Sequence, residues 1–234
     1  MTKQKTQTAR IHNFNIHYQT RDEFHHLKRE IFTYDSYFFE TDNPTPVIID
    51  AGAHIGLSTL YFKYLYPAAK IIAIEPNPAA FALLEQNVFE NQLDNVTTIN
   101  AALWETATTL PFYRDRTKNH WFSTAGFHKG AWTGDQKSEE LAVSALPLSE
   151  LIQEPIDFLK MDIEGAESTV LFAAQDALPL IKHCMIEFHP RDDHQPKKLI
   201  ELLEPHFSLK YWQDGKEIPL KKVKGLFTIE GKHR

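Results

Sequence analysis

Val47-Ile48-Ile49-Asp50-Ala51-Gly52-Ala53-His54-Ile55-Gly56 decides the fold of this 234-residue chain. A continuous apolar, β-branched run suits a strand buried on both faces, as at the centre of a parallel sheet. The run ends in Asp50 and a glycine turn, and a helix then runs from about Leu57 until Pro67 stops it. Gly52 lets the backbone turn sharply and approach a ligand, and Gly56 permits close packing of helix on strand. This is the place where α/β folds bind cofactors. His54 stands where a dinucleotide fingerprint needs a glycine to admit pyrophosphate. The turn therefore suits a cofactor without phosphate at that point.

Downstream, strand and helix keep alternating, which implies a mainly parallel sheet covered by helices. Ile71 to Ile74 forms a second strand ending in Glu75, within Ala73-Ile74-Glu75-Pro76-Asn77. A carboxylate there accepts hydrogen bonds from both hydroxyls of a ribose. Asn77 caps the next helix with Pro78 in its first position, and Phe81, Leu84 and Val88 share one face. Val96 to Ile99 makes a third strand, after which Asn100 and Ala101 reach an adenine through backbone contacts. A glycine turn without a phosphate site, followed by a ribose acid, points to S-adenosylmethionine. The cofactor set read from the sequence is Asp50, Gly52, Ala53, His54, Gly56, Glu75, Pro76, Asn77, Asn100 and Ala101. Asp50 is given the methionyl amine, directly or through water.

A second constellation lies in the C-terminal half. Phe158 to Met161 reads as a strand whose carboxyl end delivers Asp162, with Lys160 on the same face by alternation. Glu164 and Glu167 open a helix from about Ala166 to Ala174, where carboxylates serve as capping groups or as chemistry. The strand Cys184 to Phe188 places Glu187 and His189 on one side. Asp162, Glu187 and His189 are therefore the candidate catalytic group, the competing expectation being a Glu187–Lys160 pair inside the sheet. A helix from Pro196 to Leu203 and strands Phe207–Trp212 and Leu226–Ile229 complete the pattern. Leu110–Tyr113 and Leu141–Val143 read as strands flanking a long loop that contains Asn119-His120-Trp121-Phe122 and Gly126-Phe127-His128. A long loop inside a compact domain is usually functional. Trp121, Phe127 and His128, with Tyr37 and Phe38 from the N-terminal segment, are the candidate acceptor residues.

Four of these motifs, in order and at their spacing, resemble the FkbM family of methyltransferases. They are Asp50-Ala-Gly-Ala-His-Ile-Gly56, Glu75-Pro-Asn77, Asn100-Ala-Ala-Leu103, and Ile156-Asp-Phe-Leu-Lys-Met-Asp-Ile-Glu-Gly-Ala-Glu167. The resemblance covers about residues 47–190. It implies a Rossmann-like class I α/β fold: a mostly parallel seven-stranded sheet in the order 3-2-1-4-5-7-6, with strand seven antiparallel. It also implies methyl transfer, mainly to hydroxyl oxygens of natural products, glycans and related small molecules. Two positions depart from the family pattern. His54 replaces a common Asn, and Pro147-Leu148-Ser149 replaces the usual Leu-Asp before the fourth core strand.

Composition narrows the partners. A net charge of −6 disfavours a generic nucleic-acid binder, despite Lys221, Lys222 and Lys224 near the C-terminus. The single cysteine, Cys184, excludes an internal disulfide and a cysteine metal cluster. No segment approaches the roughly 20 apolar residues of a membrane span, so a cytoplasmic protein with a small-molecule or sugar acceptor is expected. Asn43-Pro44-Thr45-Pro46 separates an N-terminal extension or cap, residues 1–45, from the methyltransferase domain, residues 46–234. The extension reads as short strands or a hairpin, then a helix from Arg21 to Phe32. The amino-methylation signatures Asn-Pro-Pro-Tyr and Asp-Pro-Pro-Tyr are missing after the fourth core strand. The reading is thus an O-methyltransferase, against a nicotinamide-dependent oxidoreductase or a non-catalytic cofactor-binding protein. The acceptor proton goes to His189 as a base oriented by Asp162. Alternatively a magnesium or manganese ion lies between Asp162, Glu187 and His189, a sparse ligand set needing several waters.

Overall fold

The computed structural model describes residues 5–115, 125–129, 138–190 and 196–234. Its centre is a parallel run of strands, β5 (Val96–Ile99), β4 (Lys70–Ile74), β3 (Val47–Ala51), β10 (Phe158–Met161) and β11 (His183–Phe188), hydrogen-bonded in that order. Beyond β11 come β14 (Phe227–His233), antiparallel to both neighbours, and β12 (Phe207–Gln213). Renumbered along the core, this is the order 3-2-1-4-5-7-6 with strand seven antiparallel. A two-residue edge strand, β13 (Lys216–Glu217), pairs with β12 and makes the sheet eight-stranded.

Both faces of the sheet are covered, as the β-branched run requires. Ile48, Ile71 and Phe158 pack with α2 (Leu57–Leu65) and α3 (Pro78–Glu90). Ile49, Leu159 and Ile186, whose side chains point the other way, pack with α4 (Glu167–Ala173) and α5 (Pro196–Leu203). Asn77 caps α3 by accepting a bond from the Ala79 amide at 3.1 Å, with Pro78 opening the helix. The N-terminal segment forms a hairpin, β1 (Gln7–Ile11) with β2 (Phe14–Tyr18), and α1 (Arg21–Thr33). It lies against the first face: Asn87 of α3 accepts from the His17 amide at 2.6 Å, and Phe24 and Ile31 join that face's core.

Among the described residues, the least regular stretch of the sequence holds more strand than its pattern suggests. β6 (Ala102–Trp104), β7 (Thr108–Asp115), β8 (Ala125–Gly126) and β9 (Ser138–Pro147) form a separate four-stranded sheet in the order β6-β9-β7-β8. Two strands were expected here. The three residues of β6 are too few for a periodic signal, and their partners in β9 come from far along the chain. This sheet has a small core of its own, Phe112, Val143 and Ala145 among them, and stands beside the carboxyl ends of β3, β4 and β10. Trp121, expected to line the acceptor pocket, lies outside the described residues.

Candidate functional site

The glycine turn after β3 is shaped first by its neighbours in the protein. Gly52 has φ of 76°, and a Cβ there would stand 1.8 Å from the main-chain oxygen of Asp162, so only glycine fits between the ends of β3 and β10. Gly56 has φ of 91°, and a Cβ there would meet Leu84 of α3 at 2.8 Å. The amides of Gly52 and Ala53 donate to the Ile74 carbonyl at 3.0 and 2.9 Å, closing the turn onto β4. Lys160, 2% exposed, reaches under it and donates to the carbonyls of Ala51 and Gly52. The same ammonium lies 3.5 Å from Asp50, 3.9 Å from Asp162 and 5.4 Å from the centre of the Tyr37 ring.

Asp50 itself is sealed. Its Oδ2 accepts from Ser58 and Thr59 at 2.7 Å each, and nothing of the residue reaches solvent. Asp50 ties the first turn of α2 to Lys160 and so fixes the loop from below.

Above the turn is a cleft of about 650 Å³, open to solvent. Of the cofactor residues read from the sequence, Gly52, His54, Glu75, Pro76 and Ala101 line it. Glu75 is 7% exposed, and each carboxylate oxygen accepts one amide, Oε2 from His54 at 2.9 Å and Oε1 from Asn77 at 2.8 Å. Burial pushes its pKa above the ordinary carboxylate range, with His54 and the two amides pulling the other way. The Asn100 side chain is spent within the protein: its amide donates to the carbonyls of Glu75 and Pro76 at 2.8 and 3.3 Å and pins that corner. Ala53 lines a smaller adjoining cavity of about 270 Å³, together with Tyr37, Ser58, Lys160 and Asp162. Gly52, His54, Leu27 and Asp162 belong to both spaces.

The far wall of the larger cleft is apolar, built by Leu103, Phe112, Ala125 and Phe127 of the small sheet and its flank. Phe127 packs on Trp104 and Phe112, with ring centres at 4.9 and 5.6 Å. Of the other acceptor candidates, Tyr37 is buried in the smaller cavity, whereas Phe38 and His128 are exposed and line neither space.

Asp162 enters the cleft beside Ile163 and Glu164. Behind it, His189 lies between two carboxylates, Nε2 at 3.4 Å from Glu164 and Nδ1 at 3.1 Å from Glu167. Burial opposes its charge, but the hydrogen bond to Glu167 and the Glu164 and Asp162 carboxylates hold its pKa up at about 10. An imidazole so placed is already protonated at neutral pH. That disfavours His189 as the base expected from the sequence. Glu187 is pushed up to about 8 by burial and by Asp162, with His189 opposing. Glu164 is raised strongly by the same two influences. Asp162, Glu164 and His189 each offer a ligand atom within 4.8 Å of the others, so the metal-competent group includes Glu164 where Glu187 was expected.

Several site residues escaped the sequence reading, and most come from α1. Glu23, Leu27, Glu30 and Ile31 repeat at helical spacing on one face. Leu27 and Ile31 reach the cavities, Glu23 meets His54 at 3.1 Å, and the pKa of Glu30 is raised by burial and by Asp162. That spacing was visible in the sequence, but carboxylates on such a stripe read as solvated charge.

The strand order, the glycine turn and the cleft at the carboxyl ends of the strands define a class I methyltransferase fold. The family model of the methyltransferase FkbM domain matches residues 50–211, and the chain belongs to this family. It is 31% identical over 189 residues to methyltransferase sdnD of Sordaria araneosa, an alignment covering 69% of this chain and 73% of that one. It is 25% identical over 183 residues to the 2-O-methyltransferase NoeI of Sinorhizobium fredii, covering 72% and 74%. Among solved structures it resembles an FkbM methyltransferase of Methylobacillus flagellatus, with a TM-score of 0.58 and 17% identity, over 85% of this chain and 47% of that one. Membership of a methyltransferase family displaces the oxidoreductase alternative. Among the described residues no helix is long and apolar enough to cross a membrane.

Proposed function

We propose that this methyltransferase uses S-adenosylmethionine to methylate a hydroxyl oxygen of a small molecule, natural product or sugar. One observation carries the reading: a single cleft is lined by a ribose-type carboxylate, Glu75, by apolar surface and aromatic rings, and by a second carboxylate, Asp162. Each oxygen of Glu75 accepts only one amide and keeps a lone pair for a ribose hydroxyl. Pro76, Ala101 and Leu103 offer the flat apolar surface an adenine needs, and Lys160 with Asp162 faces the charged methionine end. When bound, the cofactor supplies an electrophilic methyl group on a sulfonium.

The chain's own part is alignment, exclusion of water and disposal of one proton. Phe112 and Phe127 hold an apolar ring or the face of a sugar against the cleft. An Asp162 carboxylate oxygen takes the hydroxyl proton, with Glu187 next to receive it. The His189 imidazolium, fixed by Glu164 and Glu167, balances this excess of carboxylates. One imidazole with two carboxylates is a sparse ligand set for a divalent cation, which favours chemistry without magnesium or manganese. A chelator is expected to leave the rate unchanged. That NoeI is a 2-O-methyltransferase supports oxygen as the acceptor atom. The net charge of −6 supports a small acceptor over nucleic acid.

Titration calorimetry with S-adenosylhomocysteine on Glu75→Ala tests the cofactor assignment. Loss of two charge-assisted bonds should weaken binding about ten- to a hundredfold, or about 1.5–3 kcal/mol. Wild-type affinity in the variant would overturn it.

A further inference from the structure

We propose that α1 is a latch on the cofactor turn, with Glu23 the positioning residue that acts through His54. The proposal rests on the reading of the cleft as the S-adenosylmethionine site, and it assigns the N-terminal helix a part in that site.

His54 sits at the apex of the turn with φ of 54°, left-handed backbone that is uncommon outside glycine and in which Asn, Asp and His are the most frequent exceptions. Its two ends point to two different elements. The main-chain N–H donates to Glu75 Oε2 at 2.9 Å, and ring Nε2 lies 3.1 Å from Glu23 Oε1. The side chains of His54 and Glu23 are only 16% and 4% exposed, so the contact is shielded from water and salt. Burial opposes a charge on His54, but the Glu23 carboxylate outweighs it and raises the imidazole above its ordinary pKa. The apex is thereby held in the one conformation that aims its amide at the ribose carboxylate. Below the apex the turn is fixed independently, by Lys160 on the Ala51 and Gly52 carbonyls and by the Ile74 carbonyl. Glu23 therefore acts on the His54–Glu75 bond rather than on the fold of the turn.

Asparagine at position 54 supplies left-handed backbone without a charged partner, so it should release the turn from α1. That gives a double-mutant cycle with S-adenosylhomocysteine as the probe and calorimetric affinity as the readout. Glu23→Gln, which keeps the shape and loses the charge, should weaken binding about five- to tenfold with the melting temperature of the ligand-free protein little changed. In the His54→Asn background the same change should have no further effect. Equal weakening in both backgrounds, or unchanged affinity of Glu23→Gln, would overturn the latch. If Glu23→Gln does not fold, the affinity of wild type against pH decides. Among the charged groups that act on His54 are Glu23 from α1, Glu75 after β4 and Lys160 from β10. Wild-type affinity should fall as pH rises and His54 loses its proton, and the fall should vanish in His54→Asn. An identical fall in both proteins would reject the proposal. A wild-type protein that binds no S-adenosylhomocysteine overturns the cofactor assignment and the latch together. Wild-type binding with an indifferent Glu23→Gln overturns the latch alone.

Discussion

Asp157 and Asp162 flank one short strand, β10, and meet opposite surroundings at its two ends. Asp157 stands at the amino end, where it accepts from the Val47 amide at 2.8 Å, Asn43 at 2.9 Å and Lys182 at 2.8 Å. Burial works against its charge, yet these donors win and hold its pKa below the usual carboxylate range. At the carboxyl end Asp162 shares its space with Glu30, Glu164 and Glu187 against two cations, Lys160 and His189. Its charge helps to raise the pKa of all three glutamates. Where each carboxylate has its own donors, charge serves the fold. Where carboxylates outnumber cations beside an open cleft, burial and repulsion push their pKa values up, which is the pattern expected of the proposed catalytic site.

Two substitutions should separate the ends, the larger effect coming first. Asp162→Asn removes the proposed proton acceptor and should lower kcat about 10²–10⁴-fold, while relieving repulsion and leaving the melting temperature unchanged or higher. Steady-state kinetics with an identified acceptor, beside calorimetric melting, measures both, and a fully active variant would remove Asp162 from the mechanism. Asp157→Ala should do the reverse. It strands the part-buried Val47 amide and Asn43 side chain, at a cost of about 1–3 kcal/mol, with cofactor affinity of the folded protein unchanged. Denaturant unfolding reads the first quantity, and a stability near wild type would show that the amino end is not held by charge.

The same contrast explains what the sequence disclosed. Val47-Ile48-Ile49 and the glycine turn are local signals, and so are Asn77-Pro78 at the head of α3 and Asp162 at the end of an apolar strand. Each was legible because neighbouring residues alone determine it. Glu75 was legible for the same reason, as the first polar residue after β4. The partners were not. Nothing near Asp50 in the chain announces Lys160, and nothing near His54 announces Glu23, which lies 3.1 Å away across a packed helix. Gly52 illustrates the limit well: the need for glycine was evident, but its cause is the Asp162 carbonyl, which only the packing of β3 on β10 brings there. His189 was placed at the correct strand end, while its protonation depends on Glu167, whose position follows from how α4 leaves the sheet.

The smallest expected effect, a displaced pH profile, sharpens the comparison most. A free histidine base would give a rate that rises through about 6–7. Here His189 is held at about 10 by Glu167, Glu164 and Asp162 against its burial, so it stays charged across that range. Glu187, raised to about 8, is the group that loses a proton near neutrality. The rate should therefore climb about tenfold per pH unit and level near 8, and Glu187→Gln should abolish that step. A plateau reached by pH 7 would return the role to an unperturbed base. Stability must move the other way. Both folded pKa values lie above their unfolded counterparts, so the folded state binds more protons and loses stability as pH rises. For Glu187 the loss falls between its ordinary value of 4.5 and about 8. For His189 the stabilisation is complete below 6.5 and gone once pH passes about 10. Melting temperatures should then fall between pH 7 and 10, and the upper part of that fall should disappear in His189→Gln. Thus the carboxyl end of β10 should grow more active and less stable over one pH interval in which Asp157, at the other end, stays ionised and does not respond.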